Sequence, residues 1–381
     1  MRSRKNAVRM FFVAMALCFA LAFSQPAFAG PLPGNNFTQT NLVSDLNGVA
    51  LHMDPDLVNP WGISFGATSP FWVSDNGTGK STLYDGLGNK QGLIVTIPPA
   101  AGSPAGTISA PTGQVFNPTA GGGTFNGGRF IFATEDGTIN YWSSGTNAVR
   151  QVDNSAAGAI YKGLALMNDI LYAADFHNNR IDAFNSSFGA ATLTGTFTDP
   201  SLPSGFAPFN IQALGTNLVV TYALQDSAGE DDVAGAGNGF VDVFDANGNL
   251  VKRLISNGAL NSPWGLAVAP SGFGPFGGDL LVGNFGDGTI NAYNMNTGAY
   301  IGTLDDKNGD PLVNLGLWGI SFGNGGKNFN SNDLYFTAGI PGPDNIEDHG
   351  LFGVIARTPE PSSLVLLGAG LLGVIRLRRS R

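Results

Sequence analysis

Cysteine and histidine are nearly absent from this chain of 381 residues. The single cysteine, Cys18, lies in the first apolar segment, and the three histidines are His52, His177 and His349. Once that first segment is removed, disulfides and zinc sites with cysteine ligands are excluded. The sequence has no H-E-x-x-H motif or paired-histidine spacing, so zinc catalysis has little support.

Charged residues are also scarce, at 12%, and the basic ones are concentrated at the two ends of the chain. Of 19 Lys and Arg residues, eight lie within the first nine and the last six positions. The region between them is therefore strongly acidic. Because binding to nucleic acid requires clustered Lys and Arg to neutralise phosphates, no nucleic-acid partner is expected.

Glycine and proline are abundant, with 55 Gly and 22 Pro. Glycine supplies the positive φ angles of tight turns and proline fixes the φ angle of turn positions. Apolar residues make up 43% of the chain, which is enough for a large core. This mixture indicates an all-β protein with many short strands.

Six repeats organise the middle of the chain. Each has an apolar run opened by a characteristic residue pair, and the pairs are 48 to 54 residues apart: Trp61-Gly62, Thr112-Gly113, Lys162-Gly163, Asn210-Ile211, Trp264-Gly265 and Trp318-Gly319. A period near 50 residues with several short strands per unit is typical of β-propeller blades. We therefore predict a six-bladed β-propeller over residues 37–357, with blades beginning near residues 59, 110, 160, 208, 262 and 316.

An outer strand recurs after the third strand of five repeats, with the sequences GLIVTIP, AVRQVDN, TLTGTFTDP, LVKRLISNG and YIGTLDD. The sixth repeat lacks one. Residues 37–45 (FTQTNLVSD) resemble these outer strands and precede the first repeat. We therefore expect this N-terminal strand to complete the last blade and close the ring, which removes an exposed sheet edge.

Both termini have the composition of targeting segments. Residues 1–29 combine a basic start, an apolar run and an A-x-A site before Gly30, which predicts a cleavable signal peptide. Near the other end, residues 364–375 are apolar and uncharged. A helix of this length would rise only about 18 Å, so composition alone leaves either a short stop-transfer helix or a terminal core helix.

The last 24 residues resemble a PEP-CTERM sorting tail. The resemblance rests on Pro359, Glu360 and Pro361, followed by the apolar segment and then Arg376, Arg378 and Arg379. It implies export in a Gram-negative bacterium, membrane anchoring through the C-terminal helix, and processing by an exosortase-type enzyme. The expected location is the cell envelope or the extracellular matrix.

The repeat region is similar to NHL-repeat and TolB-like six-bladed propellers. Residues 172–182 (YAADFHNNRID) are close to an NHL blade, and the segments LVNPWGISF, FATEDGTI, KGLAL, APFNIQ, SPWGLA and LVGNFGDGTINAY resemble an uncharacterised bacterial family that often has PEP-CTERM tails. No established activity follows from this resemblance.

Propeller geometry predicts where a ligand would bind. The loops that precede the innermost strands and the loops between second and third strands should share one face, at the mouth of the central channel. Trp61, Trp264 and Trp318 would lie there, either as a platform for sugars or flat organic molecules or as packing between blades. The facing turns add further candidates, which are Asp75, Asn76, Asp175, His177, Asn284 and Asp287.

Two acidic features are candidates for binding a divalent cation such as calcium, although the cofactor itself is unknown. The Asx-Gly turns could supply oxygen ligands, but Asn and Asp also occur in such turns for conformational reasons. The insertion at residues 225–239 contains Asp226, Glu230, Asp231 and Asp232. These carboxylates could bind metal or form a lid, or simply be solvated.

Three functional hypotheses follow. The preferred one is a non-catalytic module that binds an extracellular polysaccharide, a surface protein or a small ligand. The second is a metal-dependent hydrolase or lactonase that uses Asp75, Glu135 and Asp175. The third is a structural spacer in the matrix. The two G-x-S-x-G sequences, at residues 62–66 and 319–323, are better explained as innermost strands than as nucleophile elbows.

Overall fold

The computed structural model describes residues 32–326, 329–343 and 347–358. Within these ranges the chain forms six sheets, and the predicted all-β six-bladed propeller is confirmed. No helix among the described residues is long and apolar enough to cross a membrane. The predicted signal peptide (1–29), the Pro-Glu-Pro residues and the apolar helix (364–375) lie outside the described residues.

Each sheet is one blade, and its strands follow one another outward from the centre. The chain begins with β1 (Phe37–Ser44) and β2 (His52–Met53). The first three blades are β3 (Pro60–Ser64), β4 (Phe71–Asp75), β5 (Lys80–Tyr84) and β6 (Val95–Thr96); β7 (Pro111–Phe116), β8 (Phe130–Thr134), β9 (Thr138–Trp142) and β10 (Val149–Asp153); and β11 (Tyr161–Met167), β12 (Ile170–Asp175) and β13 (Arg180–Phe184).

The remaining three blades complete the ring. They are β14 (Phe206–Leu214), β15 (Asn217–Leu224), β16 (Phe240–Phe244) and β17 (Leu250–Ser256); β18 (Pro263–Val268), β19 (Leu280–Asn284), β20 (Ile290–Tyr293) and β21 (Tyr300–Thr303); and β22 (Leu317–Phe322), β23 (Leu334–Ala338) and β24 (Leu351–Arg357) joined by β1 and β2. Short 3₁₀ turns occupy Asn76–Thr78, Ala120–Gly122, Thr124–Gly127, Ser155–Ala157 and Gly274–Phe276.

The six innermost strands contact one another in a closed ring, because β22 of the last blade packs against β3 of the first. The register places the start of each innermost strand beside the end of the second strand, as in the pairs Pro60–Asp75 and Pro263–Asn284. We call this side of the disc the upper face. The opposite side, where the innermost strands end, is the lower face.

Glycine in the recurring residue pair allows neighbouring blades to approach at the axis. A Cβ atom at Gly62 would lie 2.5 Å from the backbone oxygen of Thr112 in the next blade, and one at Gly319 would lie 2.6 Å from the oxygen of Trp61. These are forbidden contacts with backbone atoms. The fourth blade differs, since Ile211 takes the glycine position and the preceding Asn210 donates a hydrogen bond of 2.7 Å to the oxygen of Trp264.

The predicted closure of the ring by the N-terminal strand is confirmed. β1 pairs with β24 in antiparallel register from Phe37–Arg357 to Ser44–Leu351. At its upper end, Asp45 accepts a hydrogen bond of 2.8 Å from the backbone N–H of Gly350. Phe37 at its lower end is buried, with its ring 4.7 Å from that of Phe273 in the fifth blade.

The third blade corrects one expectation, because TLTGTFTDP does not form its outer strand. Residues 192–200 instead run beside the fourth blade, where the N–H groups of Gly195 and Phe197 donate to the backbone oxygens of Asn247 and Gly248. The conformation and packing of Phe197 explain why this segment does not form a strand of the third blade. Phe197 has φ of +54°, outside the extended region, and its buried ring packs 5.2 Å from the ring of Phe244.

Candidate functional site

The upper end of the central channel is filled by aromatic side chains from several blades. Trp61 and Trp318 are stacked with ring centroids 3.4 Å apart, and Phe285 stacks on the other side of Trp318 at 4.0 Å. Trp264 meets both tryptophans edge-on, at 6.2 Å and 5.8 Å. All three tryptophans are at most 5% exposed. This arrangement favours packing over an open aromatic platform.

The three indole N–H groups differ in their partners. Trp264 donates to the backbone oxygen of Lys162 at 3.2 Å, and Trp318 donates to Oδ1 of Asn59 at 3.1 Å. Nε1 of Trp61 is buried and has no hydrogen-bond partner among the described residues. A buried donor without a partner costs about 1 to 3 kcal/mol, so this atom is a point where a further polar group would be stabilising.

Lys162 stands in the third repeat at the position that tryptophan occupies in three others. Its side chain is 2% exposed, and its ammonium lies 5.2 Å from the centroid of the Trp61 ring. The ammonium forms an ion pair with Glu135 of the second blade and a longer one, 3.4 Å, with Asp231 of the insertion. A buried lysine is thus held by charge and by an aromatic face.

A chain of hydrogen bonds extends from this ion pair around the mouth. Asn76 donates to Oε2 of Glu135 at 2.9 Å, and Asn59 donates to Oε1 of Glu347 at 2.9 Å. Asn59 also approaches Oδ1 of Asn76 at 3.4 Å. Three blades therefore share one polar network, which connects the first blade to the second and the last.

Burial and charge perturb the ionisation of this network. Burial would lower the pKa of Lys162, but its attraction to Glu135 and the nearby charges of Asp231 and Glu347 outweigh that effect and raise it. Burial also raises the pKa of Glu347 to about 7, assisted by repulsion from Glu135. Burial raises the pKa of Asp232 to about 6, although Ser262 and Lys162 lower it in part.

These groups surround a small cavity of about 180 Å³ on the upper face. We call it the Lys162 site, and its lining residues are Trp61, Lys162, Asp231, Asp232, Phe285, Trp318 and Glu347. Besides Nε1 of Trp61, the buried Oδ2 atom of Asp232 receives no hydrogen bond of normal geometry from the described residues, including nearby Ser262. Trp61 and Asp232, which line the cavity, thus each have a buried polar atom without a partner among the described residues.

The insertion at residues 225–239, which we call the cover segment, contributes part of the wall of this site. Gln225 and Asp232 are bridged, and Gln225 Nε2 donates 2.7 Å to the backbone oxygen of Phe176 in the third blade. Asp226 is engaged within the insertion, where its Oδ1 accepts from the N–H groups of Ala228 and Glu230. Only Asp231 and Asp232 of the four carboxylates line the site. Within the described part of the chain, no three His, Cys, Asp or Glu side chains could hold a metal ion together.

The other predicted turn residues lie outside the cavity. Asp175 accepts hydrogen bonds from the backbone of Ile160 and from Asn178, and burial raises its pKa. Asn284 accepts from the N–H of Asn261, and Asp287 accepts from Thr289. These three side chains connect neighbouring turns of their own blades, Asp287 through a further hydrogen bond of 3.2 Å that it accepts from the side-chain amide of Asn261.

Asp75 and His177 are also placed away from the cavity, although Asn76 belongs to the polar network. Asp75 is fully buried within the first blade, and burial raises the pKa of its carboxyl well above the ordinary value, although Thr82 lowers it in part. His177 is exposed, and its backbone oxygen lies 3.4 Å from Gln225 Nε2 of the insertion.

Sequence reasoning did not identify Lys162, Asn59 or Glu347 as site residues. A signal for Lys162 was present, because a lysine replaces tryptophan at an aligned position of an internal repeat. Asn59 likewise precedes the Pro-Trp-Gly sequence, and has φ of +45°. Glu347 lies in a long loop between β23 and β24, and no sequence pattern relates that loop to the channel.

The raised pKa of Glu347 predicts that stability falls as pH increases. Its pKa is 4.5 in an unperturbed chain and about 7 in the folded protein, so the folded state binds the proton more tightly. Ionisation of Glu347 therefore lowers the free energy of unfolding. This loss is complete above about pH 7 and absent below about pH 4.5.

A Glu347→Gln variant cannot ionise, but still accepts the hydrogen bond from Asn59. It should be more stable than the wild type by about 1 kcal/mol at pH 8 and lose this advantage at pH 4.5. Urea unfolding at the two pH values measures the difference. An advantage that increased toward low pH would contradict the assignment.

Residues 357–380 match the PEP-CTERM protein-sorting motif. The predicted sorting tail is thereby confirmed, with Pro359, Glu360, Pro361, Arg376, Arg378 and Arg379 inside the matched range. The motif implies export in bacteria and processing by an exosortase-type enzyme. Fold and motif together define the class, an exported six-bladed β-propeller protein with a PEP-CTERM sorting motif.

Two relatives identify the family. Over 334 residues the chain is 35% identical to Uncharacterized protein R648 of Acanthamoeba polyphaga mimivirus, with coverage of 83% of this chain and 79% of the relative. It is 35% identical over 297 residues to Uncharacterized protein L690 of the same virus, with coverage of 74% and 77%. The chain belongs to the same family as these proteins.

Solved propeller structures are similar in fold. A virginiamycin B lyase from Staphylococcus aureus superimposes with a TM-score of 0.51 at 14% identity, covering 84% of this chain and 99% of the lyase. A glucose dehydrogenase gives a TM-score of 0.51 at 12% identity, covering 84% and 100%. At such identities the likeness shows the fold alone.

Proposed function

We propose that this exported propeller is a non-catalytic binding module, and that its Lys162 site takes a polyhydroxylated ligand such as one sugar unit of an extracellular polysaccharide. The observation that carries the proposal is the pair of unpartnered polar atoms in one cavity, Nε1 of Trp61 and Oδ2 of Asp232. A hydroxyl group both donates and accepts, so adjacent hydroxyls on one ring would satisfy both atoms.

The composition of the cavity supports this ligand class. Trp61, Phe285 and Trp318 are the aromatic residues of the lining, while Lys162, Asp231 and Glu347 provide hydrogen-bonding groups. Polar groups placed beside aromatic residues are typical of sites for small organic ligands. Its volume, about 180 Å³, suits a single ring or the end of a chain.

Charge narrows the ligand class further. One ammonium faces the carboxyl groups of Glu135, Asp231, Asp232 and Glu347, so the site is net negative at neutral pH. Polyanionic glycans would be repelled at this mouth. Neutral sugars and amino sugars are therefore the expected ligands.

Substitution in the cover segment tests the proposal. Asp232→Asn should weaken binding of a neutral or amino-sugar oligosaccharide by about tenfold, as expected when a buried hydrogen-bonding atom is altered. Glu230→Gln is the matched control, because it removes the same charge from an exposed side chain of the same segment. A glycan array selects the oligosaccharide, and titration calorimetry compares the variants. Equal affinity in all three proteins would contradict the proposed site.

One observation favours an enzyme as the second candidate. Glu347, with a pKa of about 7 beside a charged lysine, has the ionisation expected of a general acid or base at neutral pH. Mass spectrometry of the recovered oligosaccharide distinguishes the two functions. A binding module returns its ligand unchanged, whereas cleavage that is lost in Glu347→Gln would support catalysis.

A further inference from the structure

A second and larger cavity occupies the lower part of the central channel. Its volume is about 620 Å³, and its walls come from the innermost strands of the blades. Trp264 lies at its upper end, below the stacked rings of Trp61 and Trp318 that border the Lys162 site. Pro118, Thr119, Asn168 and Asp169, from loops of the lower face, surround the opening. The channel is therefore closed above and open below.

The lining of this lower channel is mostly apolar and almost uncharged. The apolar residues that line it include Ile63, Leu166, Met167, Ile211, Leu266 and Ile320. Asp169 is the single ionisable residue among the described residues that line it, and its Oδ1 accepts a hydrogen bond of 2.7 Å from Thr119 at the rim. The interior thus offers no charge to attract an ion.

Two polar atoms within this apolar lining are unpartnered. Gln114 is 6% exposed and donates through Nε2 to the backbone oxygens of Gly62 and Trp72, but its Oε1 atom has no partner among the described residues. The buried hydroxyl of Ser64 is also without a partner there. Both residues line the lower channel, and each has a buried acceptor atom without a partner among the described residues.

The walls are also preformed. The innermost strands are in backbone contact at the glycine positions, where Gly62 and Gly319 leave no space for a Cβ atom. Such walls cannot collapse into the cavity without separating blades. A cavity of several hundred Å³ with a mainly apolar lining and a few polar groups has the properties of a small-molecule site.

We propose that the lower channel is a second ligand site, which takes an uncharged and predominantly apolar small molecule that has a single hydrogen-bond donor. The apolar body contacts the strand walls, and the donor reaches Gln114 or Ser64. The packed side chains of Trp61, Trp264 and Trp318 separate this site from the Lys162 site, so the two sites bind their ligands independently.

N-phenyl-1-naphthylamine is a suitable probe, because it is neutral, apolar and has one N–H group, and its fluorescence increases in apolar surroundings. We expect saturable binding to the full chain. Ser321→Phe places a phenyl ring on the channel wall and should weaken binding by about tenfold or more. Ser187→Phe is the matched control, because the same change is made on an exposed turn of the third blade.

Ser321→Leu, a smaller change on the same wall, provides a second variant if the phenylalanine variant does not fold, and thermal melting verifies folding of each. Asp232→Asn in the Lys162 site should bind the probe like the wild type. Absence of saturable binding, or equal binding by the Ser321 variants and the control, would overturn the proposal. Loss of binding in Asp232→Asn would also overturn it, because the probe would then occupy the other site.

Discussion

Replacement of Lys162 by methionine is expected to lower the free energy of unfolding by about 3 kcal/mol, the low end of the range for removing one partner of a buried ion pair. The Lys162 side chain is 2% exposed, and its ammonium forms an ion pair with Glu135. Without it, Glu135 and Glu347 remain close together at a partly buried position, with no compensating charge. Methionine keeps most of the side-chain volume, so a cavity does not account for the loss.

Two comparisons isolate the electrostatic origin of this effect. Lys307→Met removes a lysine from an exposed turn and should change stability by no more than about 0.5 kcal/mol. The double variant Lys162→Met/Glu135→Gln should recover part of the lost stability, because it removes the carboxylate left without a partner. Urea unfolding of the wild type, Lys162→Met, Glu135→Gln and the double variant gives the coupling free energy. If the double variant loses as much unfolding free energy as the two single variants lose together, the ion-pair explanation is contradicted.

Gly319→Ala is expected to destabilise the ring by about 3 kcal/mol, at the upper end of the usual range for overpacking. The new Cβ atom would lie 2.6 Å from the backbone oxygen of Trp61 and 2.9 Å from the hydroxyl of Thr337. Backbone cannot move aside here without shifting the last blade relative to the first. Since that contact closes the ring, the strain would affect the whole propeller.

Gly92→Ala is the matched control for this substitution. A Cβ atom at Gly92 meets nothing within 4 Å, and its φ angle requires no glycine. The control should be neutral or slightly stabilising, because alanine restricts the unfolded chain. Thermal unfolding compares the two variants, and equal melting temperatures would show that close approach of the blades does not depend on Gly319.

Much of the fold was predictable because it repeats. An aligned residue pair at nearly even spacing predicted the blades, and the missing outer strand of the sixth repeat predicted the role of Phe37–Ser44. The outer strand of the third blade was predicted wrongly. Its alternation resembles that of the other outer strands, but the positive φ of Phe197, a property of backbone conformation, is not visible in the pattern.

The site was predictable only in part. The sequence predicted the upper face as the place of the site and named Asn76, because repeat geometry determines which turns face the channel. It named Asp231 and Asp232 for a different reason, the clustering of carboxylates in the insertion. It could not decide whether the tryptophans were exposed, since their burial depends on stacking between Trp61 and Trp318, which are 257 positions apart in the sequence. The partnership of Lys162 with Glu135 likewise arises only when neighbouring blades meet.

A crystal structure of the protein with its best-binding neutral or amino-sugar oligosaccharide tests the central claim most directly. We expect a sugar ring in the cavity between Lys162 and Glu347, with one hydroxyl accepting from Nε1 of Trp61 and another donating to Oδ2 of Asp232. A sugar bound elsewhere on the protein, with only water beside these two atoms, would contradict the assignment of the Lys162 site as the binding site.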